Sequence, residues 1–135
     1  MTLDLRLMQT TDLHAQLLAY DYLVDRPSDR IGLSRVASLI RSARVEMPNS
    51  LLFDTGDVLQ GSALGDLYAS TNMTGTTDAH PVIAVMNALG YDAGTLGNHD
   101  FNYGIPLSAR GLGLGAFSHG LRECRPPFGA VALRG

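Results

Sequence analysis

The sequence contains no lysine and no tryptophan, and it has one cysteine, Cys124. A single cysteine excludes a disulfide within the chain, although it does not assign a cellular compartment. All ten basic residues are arginine and the formal net charge is −3, so the charge gives no indication of a nucleic-acid partner. The rest of the composition, 45% hydrophobic and 17% charged over 135 residues, is that of one folded domain.

Long apolar runs are also missing. No stretch is long enough to span a membrane, so the sequence predicts no membrane partner. The N-terminus lacks the basic segment followed by an apolar segment that marks a secretory signal. Localisation therefore stays open, because any signal of the parent protein lies outside these residues. The sequence carries no indication of the oligomeric state.

The charge and composition change near residue 105. Residues 1–104 hold twelve acids and six arginines, whereas residues 105–135 hold one acid, Glu123, and four arginines. The second segment also contains six glycines and three prolines, without helical or strand periodicity. We therefore predict a domain over residues 1–104 and an atypical Gly/Arg/Pro-rich tail over residues 105–135. A frameshift near residue 105 would explain both changes, and the other reading frames of the encoding DNA test this hypothesis.

Short periodic segments predict alternating strands and helices. Leu3, Leu5 and Leu7 alternate with Asp4 and Arg6, which is typical of a strand with one apolar face. Further elements follow in order: a helix over 31–45, a strand over 51–53, a short helix over 63–68, an exposed loop over 70–78, a helix over 81–89 and a strand over 92–96. This order predicts an α/β fold with a parallel sheet.

The two longer helices carry clear periodicity. In the first, we expect arginines to face solvent and aliphatic residues to face the core. The arginines are Arg35, Arg41 and Arg44, and the aliphatic residues are Ile31, Val36, Leu39, Ile40 and Val45. In the second, Gly90 is the expected stop, and His80 precedes Pro81 as a cap or a surface residue.

Each predicted strand ends in a polar cluster: Asp12-Leu13-His14, then Gly56-Asp57-Val58-Leu59-Gln60, then Gly97-Asn98-His99-Asp100. The carboxyl ends of parallel strands meet at one edge of a sheet, where open α/β sheets place their sites. Carboxylates and imidazoles suit divalent Mn, Zn and Fe. A carboxylate can also bridge two ions, and two ions roughly 3.5–4 Å apart can clamp a phosphate.

Each cluster also has an ordinary structural interpretation. Asp57 follows a glycine and fits a turn, Asn98 fits a turn cap, and His99 fits a satisfied polar residue. The functional interpretation is favoured because three successive strand ends would otherwise have acquired metal-ligand chemistry independently.

The order D-x-H, G-D-x-x-Q and G-N-H-D resembles the calcineurin-like metallophosphoesterases of the 5′-nucleotidase group. The flanking residues are most similar to the bacterial 2′,3′-cyclic-nucleotide 2′-phosphodiesterase/3′-nucleotidases, over about residues 3–104. These flanks are Leu17-Leu18-Ala19-Tyr20-Asp21-Tyr22, Asp54-Thr55-Gly56-Asp57-Val58-Leu59-Gln60-Gly61, His80-Pro81-Val82-Ile83 and residues 97–104. The resemblance implies the N-terminal part of a metallophosphoesterase α/β sandwich.

The resemblance also implies roles for individual residues. Asp12 and His14 would bind a first metal, Asp57 would bridge two metals, and Asn98 would bind the second. His99 would not be a ligand; it would be the catalytic residue that assists the departing oxygen or stabilises charge on the phosphate. The implied cofactors are two divalent ions, with Mn, Zn, Fe and Co all compatible.

Two departures from the family pattern stand out. In the 5′-nucleotidase branch a carboxylate often orients the catalytic histidine, and the corresponding position here holds Asn102. The family also completes its metal site with downstream histidines, at least one in a G-H-x-H motif. The only histidine after His99 is His119, which does not match that motif. Asp100 follows the third motif without an assigned role.

The implied activity is hydrolysis of 2′,3′-cyclic nucleotides and then of 3′-nucleotides, with a nucleotide as the partner. A 5′-nucleotidase or UDP-sugar hydrolase is the nearest alternative enzyme. The other alternative is an inactive fragment, which the missing histidines favour. Members of the family are usually periplasmic or at the cell surface.

Overall fold

The computed structural model describes residues 3–72 and 79–104 of the chain. Five strands and three helices follow one another in this part, and a short 3₁₀ helix ends it. They are β1 (Arg6–Thr10), β2 (Tyr20–Asp21), β3 (Arg26–Pro27), α1 (Leu33–Glu46), β4 (Ser50–Asp54), α2 (Ala63–Asn72), α3 (Pro81–Leu89), β5 (Ala93–Gly94) and the 3₁₀ helix Asn98–Phe101.

The main sheet has three parallel strands in the order β1-β4-β5. Thr10 pairs with Asp54, which in turn pairs with Gly94, so the carboxyl ends of all three strands lie side by side. The small strands β2 and β3 form a separate antiparallel ribbon. The predicted α/β fold with a parallel sheet is therefore confirmed, and the loops that follow the strands meet at one edge.

One apolar core joins α1 and α3 to the sheet. Leu52 of β4, Val82 and Met86 of α3, and Tyr91 are completely buried, and Leu33 at the start of α1 is 1% exposed. The core continues into the loop after β4 through two further buried residues, Val58 and Leu59. The loop that carries Asp57 is consequently anchored by apolar neighbours immediately after it.

The predicted first strand is displaced towards the C-terminus, and its apolar face is exposed. The strand runs over Arg6–Thr10, and Leu3, Leu5 and Leu7 are between 49% and 81% exposed. The opposite face is the half-buried one, since Met8 packs against the core and Thr10 donates to Asp54 Oδ2 at 2.6 Å. Alternation alone does not say which of two faces is covered.

The first helix shows a similar difference. Leu39 and Val45 are 71% and 82% exposed, so their predicted burial is wrong. The buried positions are Leu33, Ala37 and Ile40. Arg44 continues that stripe four residues further on, and its guanidinium donates to the carbonyls of Leu89 and Gly90. An arginine expected in solvent thus closes the C-terminus of α3.

The remaining helices agree better with prediction. Helix α3 begins and ends as expected, with His80 Nδ1 accepting from the N–H of Val82 and with Gly90 at φ 69°. Helix α2 extends to Asn72, so the predicted loop over 70–78 is wrong as far as that residue. Loop residues 73–78 and the predicted tail, including His119, lie outside the described residues. Within residues 3–72 and 79–104, no helix has the length and hydrophobicity of a membrane span.

Candidate metal centre

Three of the predicted ligands converge where β1 and β4 end. Asp12 and His14 follow β1, Asp57 follows β4, and each offers a ligand atom within 4.8 Å of the other two. His14 Nε2 lies 3.6 Å from Asp12 Oδ1. Asp12 is exposed, while His14 and Asp57 are half-buried, so the group opens to solvent on one side.

The backbone explains this convergence. The N–H of Asp12 donates to the Gly56 carbonyl at 3.0 Å, and that of His14 donates to the Asp57 carbonyl at 2.9 Å. The N–H of Ala15 donates to the carbonyl of Val58 at 2.7 Å. The two loops therefore continue to pair after the β1-β4 ladder ends, and the register of the strands sets the register of the ligands.

The ligand positions have unusual backbone conformations. Asp12, His14, Ala15 and Asp57 have φ values of 54°, 47°, 53° and 61°, in the left-handed region that residues with a Cβ rarely adopt. Such conformations persist only where surrounding contacts impose them, and they concentrate at functional sites. Here the hydrogen bonds between the loops supply those contacts.

His14 is oriented in the way a ligating histidine requires. Its Nδ1 lies 2.6 Å from the carbonyl oxygen of Gln60, which can only accept, so Nδ1 carries the proton. The lone pair of the neutral ring is then on Nε2, the nitrogen that faces Asp12. This arrangement is usual for metal-bound histidines. Gly61 permits it, because a Cβ there would lie 2.6 Å from Nδ1.

Asp57 is placed by the loop after β5. Its Oδ1 accepts the N–H of His99 at 2.8 Å. A Cβ on Gly97 would lie 2.2 Å from the same oxygen, and a Cβ on Gly56 would lie 2.3 Å from the N atom of Gly97. Both glycines are therefore required for the two loops to approach each other.

Asn98 begins the 3₁₀ helix and is exposed. The hydrogen bond from the next residue to Asp57 brings this segment beside the cluster. Asn98 is thus an exposed polar residue on the side of the cluster where the loop after β5 approaches Asp57.

His99 belongs to a group of three polar side chains. Its Nδ1 lies 3.2 Å from Gln60 Oε1 and 2.9 Å from Asn102 Nδ2, and Asn102 Nδ2 donates to Gln60 Oε1 at 3.0 Å. Its ring also meets the His14 ring edge-on, with 5.3 Å between centroids. Asn102 thus contacts His99 as its position in the motif suggests, but as an amide. The contribution of Gln60 has no signal in the sequence beyond its place in the second motif.

Sequence reasoning left Asp100 without a role, yet this side chain is completely buried behind the ligand loops. Its Oδ1 accepts the N–H groups of Val58 and Leu59, each at 2.8 Å. Its Oδ2 accepts those of Asp57 and Gly97, at 2.8 and 2.9 Å. The acid at the end of the third motif was visible in the sequence, but its burial and its backbone partners were not.

A second buried acid lies beneath the cluster at the end of β4. Asp54 accepts from Thr10 at 2.6 Å and from the N–H of Gly56 at 2.8 Å, and Thr10 in turn lies 3.0 Å from the Tyr91 hydroxyl. Burial raises the pKa of Asp54 to about 6 and that of Tyr91 to about 12. This network joins the ends of β1 and β4 to Tyr91, which precedes β5.

The residues present fit a divalent ion. Two carboxylates and one imidazole suit hard or borderline ions such as Mn and Zn. The carbonyl that holds His14 Nδ1 leaves the other nitrogen free to bind, which is an observation independent of the donor types.

The chain belongs to the calcineurin-like phosphoesterases, because the model of that family matches residues 5–135. It is 46% identical over 111 residues to the 2′,3′-cyclic-nucleotide 2′-phosphodiesterase/3′-nucleotidase of Yersinia enterocolitica. It is 36% identical over 106 residues to the 5′-nucleotidase of Bos taurus. The predicted family and its subgroup resemblance are thereby confirmed.

The same relationship is seen in three dimensions. A crystal structure of the calcineurin-like phosphoesterase YfkN from Bacillus subtilis superposes with a TM-score of 0.75 at 45% identity, covering 78% of this chain and 33% of that one. The Yersinia and bovine matches cover 82% and 76% of this chain, but each covers 17% of the relative. The chain therefore spans about a sixth of the length of these two relatives.

Proposed function

We propose that this chain provides the N-terminal ligands of a metal centre that hydrolyses phosphate esters. The observation that carries the proposal is the approach of Asp12, His14 and Asp57 to within 4.8 Å at adjacent strand ends. Membership of the calcineurin-like phosphoesterases supports the reaction class. Bound divalent ions would polarise the phosphate and activate water, which is the chemistry that such sites supply.

The proposed roles of the individual residues are those that the family resemblance implies, and the positions of these residues are compatible with them. Asp12 and His14 would hold one ion, Asp57 would bridge to a second, and Asn98 would contribute to the second. The two oxygens of Asp57 suit a bridge, although Oδ1 already accepts the N–H of His99. That hydrogen bond fixes the direction of the carboxylate without using all of its acceptor capacity.

His99 is the proposed catalytic side chain. It lies beside His14 rather than within the three-residue cluster, and its Nδ1 is held by amides, which leaves Nε2 for the reacting phosphate. A ring fixed through one nitrogen can present the other to a leaving oxygen or to developing phosphate charge.

The proposed substrates are 2′,3′-cyclic nucleotides and 3′-nucleotides. Support comes from the higher identity to the Yersinia enzyme of that name than to the bovine 5′-nucleotidase, 46% against 36%. A 5′-nucleotidase or UDP-sugar hydrolase remains the alternative enzyme. The preference between 2′,3′-cyclic AMP and 5′-AMP distinguishes the two.

The test is hydrolysis of 2′,3′-cyclic AMP and of bis-p-nitrophenyl phosphate with added Mn²⁺. We expect turnover that disappears in Asp57→Asn and persists in Asp92→Asn. Asp92 is a suitable control because its carboxylate accepts the N–H of Leu52 at 2.9 Å, away from the ligand loops. Turnover that is equal in both variants would place the chemistry elsewhere.

The second candidate is a chain that binds an ion but does not catalyse. It is favoured by the cluster itself, because Asp12, His14 and Asp57 together supply three ligands, which is enough to hold one ion. Stoichiometric Mn²⁺ binding without turnover in the same assay would select this candidate.

A further inference from the structure

We propose that Asp100 is a positioning residue that assembles the metal centre before any ion binds. The proposal rests on the proposed function, since it concerns the same ligand loops. It assigns Asp100 no contact with metal or substrate. Its role is to hold the loop after β4 against the loop after β5.

The geometry is specific because one carboxylate serves both loops. Oδ2 accepts from Asp57 and from Gly97, so a single oxygen atom joins the backbone of the two segments. Oδ1 accepts from Val58 and Leu59 and fixes the residues that follow the bridging ligand. All four hydrogen bonds are 2.8 or 2.9 Å long, and the acid is completely buried.

The two loops depend on this acid because no helix or strand hydrogen bonding pairs the four N–H groups that it accepts. Asp57, Val58, Leu59 and Gly97 all lie outside the helices and strands. Buried N–H groups without a partner are costly, so the carboxylate specifies this loop conformation.

The consequence for the site is a fixed spacing. The carbonyls of Gly56, Asp57 and Val58 face the loop that carries Asp12 and His14, and the N–H groups of Asp57 and Val58 face Asp100. The bridging ligand is therefore held from both sides. Asp100 itself lies in the 3₁₀ helix that begins at Asn98. Its carboxylate therefore also ties down the loop that carries this second proposed ligand. A site supported in this way binds its ion without first ordering its loops.

Two substitutions separate this role from simple burial. Asp100→Asn keeps the size but replaces one acceptor oxygen with an amide donor, which would face N–H donors. Asp100→Glu keeps both acceptor oxygens. Asp92→Asn is the matched control, because Asp92 also accepts a backbone N–H but contacts neither ligand loop.

The first experiment measures Mn²⁺ affinity by calorimetry on the full chain, at a temperature where circular dichroism shows each variant to be folded. We expect Asp100→Asn to bind about 10–100-fold more weakly than wild type, as for other residues that orient ligands. We expect Asp100→Glu to lie closer to wild type and Asp92→Asn to match it. The proposal is overturned if Asp100→Asn is less stable but binds Mn²⁺ as wild type does.

A second measurement uses the wild-type chain alone and does not depend on variant folding. In metal-free protein, the amides of Asp57, Val58, Leu59 and Gly97 should be protected from hydrogen exchange. Free exchange at these four amides, with protection appearing only on addition of Mn²⁺, would overturn the proposal. If the amides are protected but the wild type binds no Mn²⁺, the proposed function fails while the joining of the loops by Asp100 stands.

Discussion

At the scale of single residues, the loops after β1, β4 and β5 fit together because glycines stand where side chains would collide. Gly61 lies against His14, and Gly97 lies against Asp57. The three motifs could be found in the sequence because metal-ligating residue types follow three predicted strands. The supporting residues could not, since Asp100 and Gln60 act through backbone groups and amides that no spacing pattern reports.

Gln60 acts on the two histidines through different atoms. Its carbonyl oxygen holds His14, whereas its side chain contacts His99 and Asn102. We predict that Gln60→Ala leaves Mn²⁺ affinity within about twofold of wild type and lowers the rate of phosphodiester hydrolysis about tenfold. Calorimetry and kcat on bis-p-nitrophenyl phosphate check this.

Gln9→Ala is the control for that experiment, since Gln9 is exposed on β1 and its side chain donates to Thr55. A loss of metal affinity in parallel with the rate, or an unchanged rate, would contradict the separation of the two roles of Gln60.

Two buried residues make opposite contributions to the pH dependence of stability. Burial lowers the pKa of His80 from 6.5 to about 4, so the stability it contributes is present above pH 6.5 and is lost as the pH falls towards 4. Burial raises the pKa of Asp54 from 3.8 to about 6, so its contribution is present below pH 3.8 and is lost as the pH rises through 6. Between about pH 4 and 6 the two effects oppose each other.

We therefore predict that Asp54→Asn steepens the loss of stability on acidification from pH 6.5 to 4, and that His80→Gln makes it shallower. Glutamine keeps a side-chain acceptor for the N–H of Val82. The limit for one proton is about 1.4 kcal/mol per pH unit. Urea unfolding at a series of pH values measures the slopes, and parallel slopes in all three proteins would refute the assignment.

At the scale of elements, prediction succeeded where an end carries its own signal. Helix α3 was located by Pro81 and Gly90, and β4 by a short apolar run. Prediction failed where the question was which face is covered. Leu39 was expected to face the core but is exposed, because periodicity identifies a face and tertiary packing decides its environment.

Arg44 is the clearest consequence of that packing. Its guanidinium joins α1 to the C-terminal carbonyls of α3, where a positive charge also complements the helix dipole. We predict that Arg44→Ala lowers the free energy of unfolding by about 1–3 kcal/mol. Urea denaturation measures this loss, with Arg41→Ala on the exposed side of α1 as the control. Equal stability of the two variants would show that the contact contributes nothing.

At the scale of the whole molecule, the described residues form a parallel sheet whose carboxyl edge carries candidate ligands from each of its three strand ends. The chain spans 17% of the Yersinia and bovine relatives, so the substrates named for those enzymes come to this chain as proposals. The candidate metal centre does not depend on the relatives in this way. Its residues lie between positions 12 and 100, so metal binding can be tested on the chain itself.

The most direct test is a Mn²⁺ titration of wild type and Asp57→Asn, with free Mn²⁺ followed by electron paramagnetic resonance. Asp57 completes the cluster with Asp12 and His14, so its loss removes a ligand while asparagine keeps the size. We predict that the wild type binds Mn²⁺ and that the variant binds at least about tenfold more weakly while remaining folded. Equal affinity in the two folded proteins, or no binding by the wild type, would contradict the account.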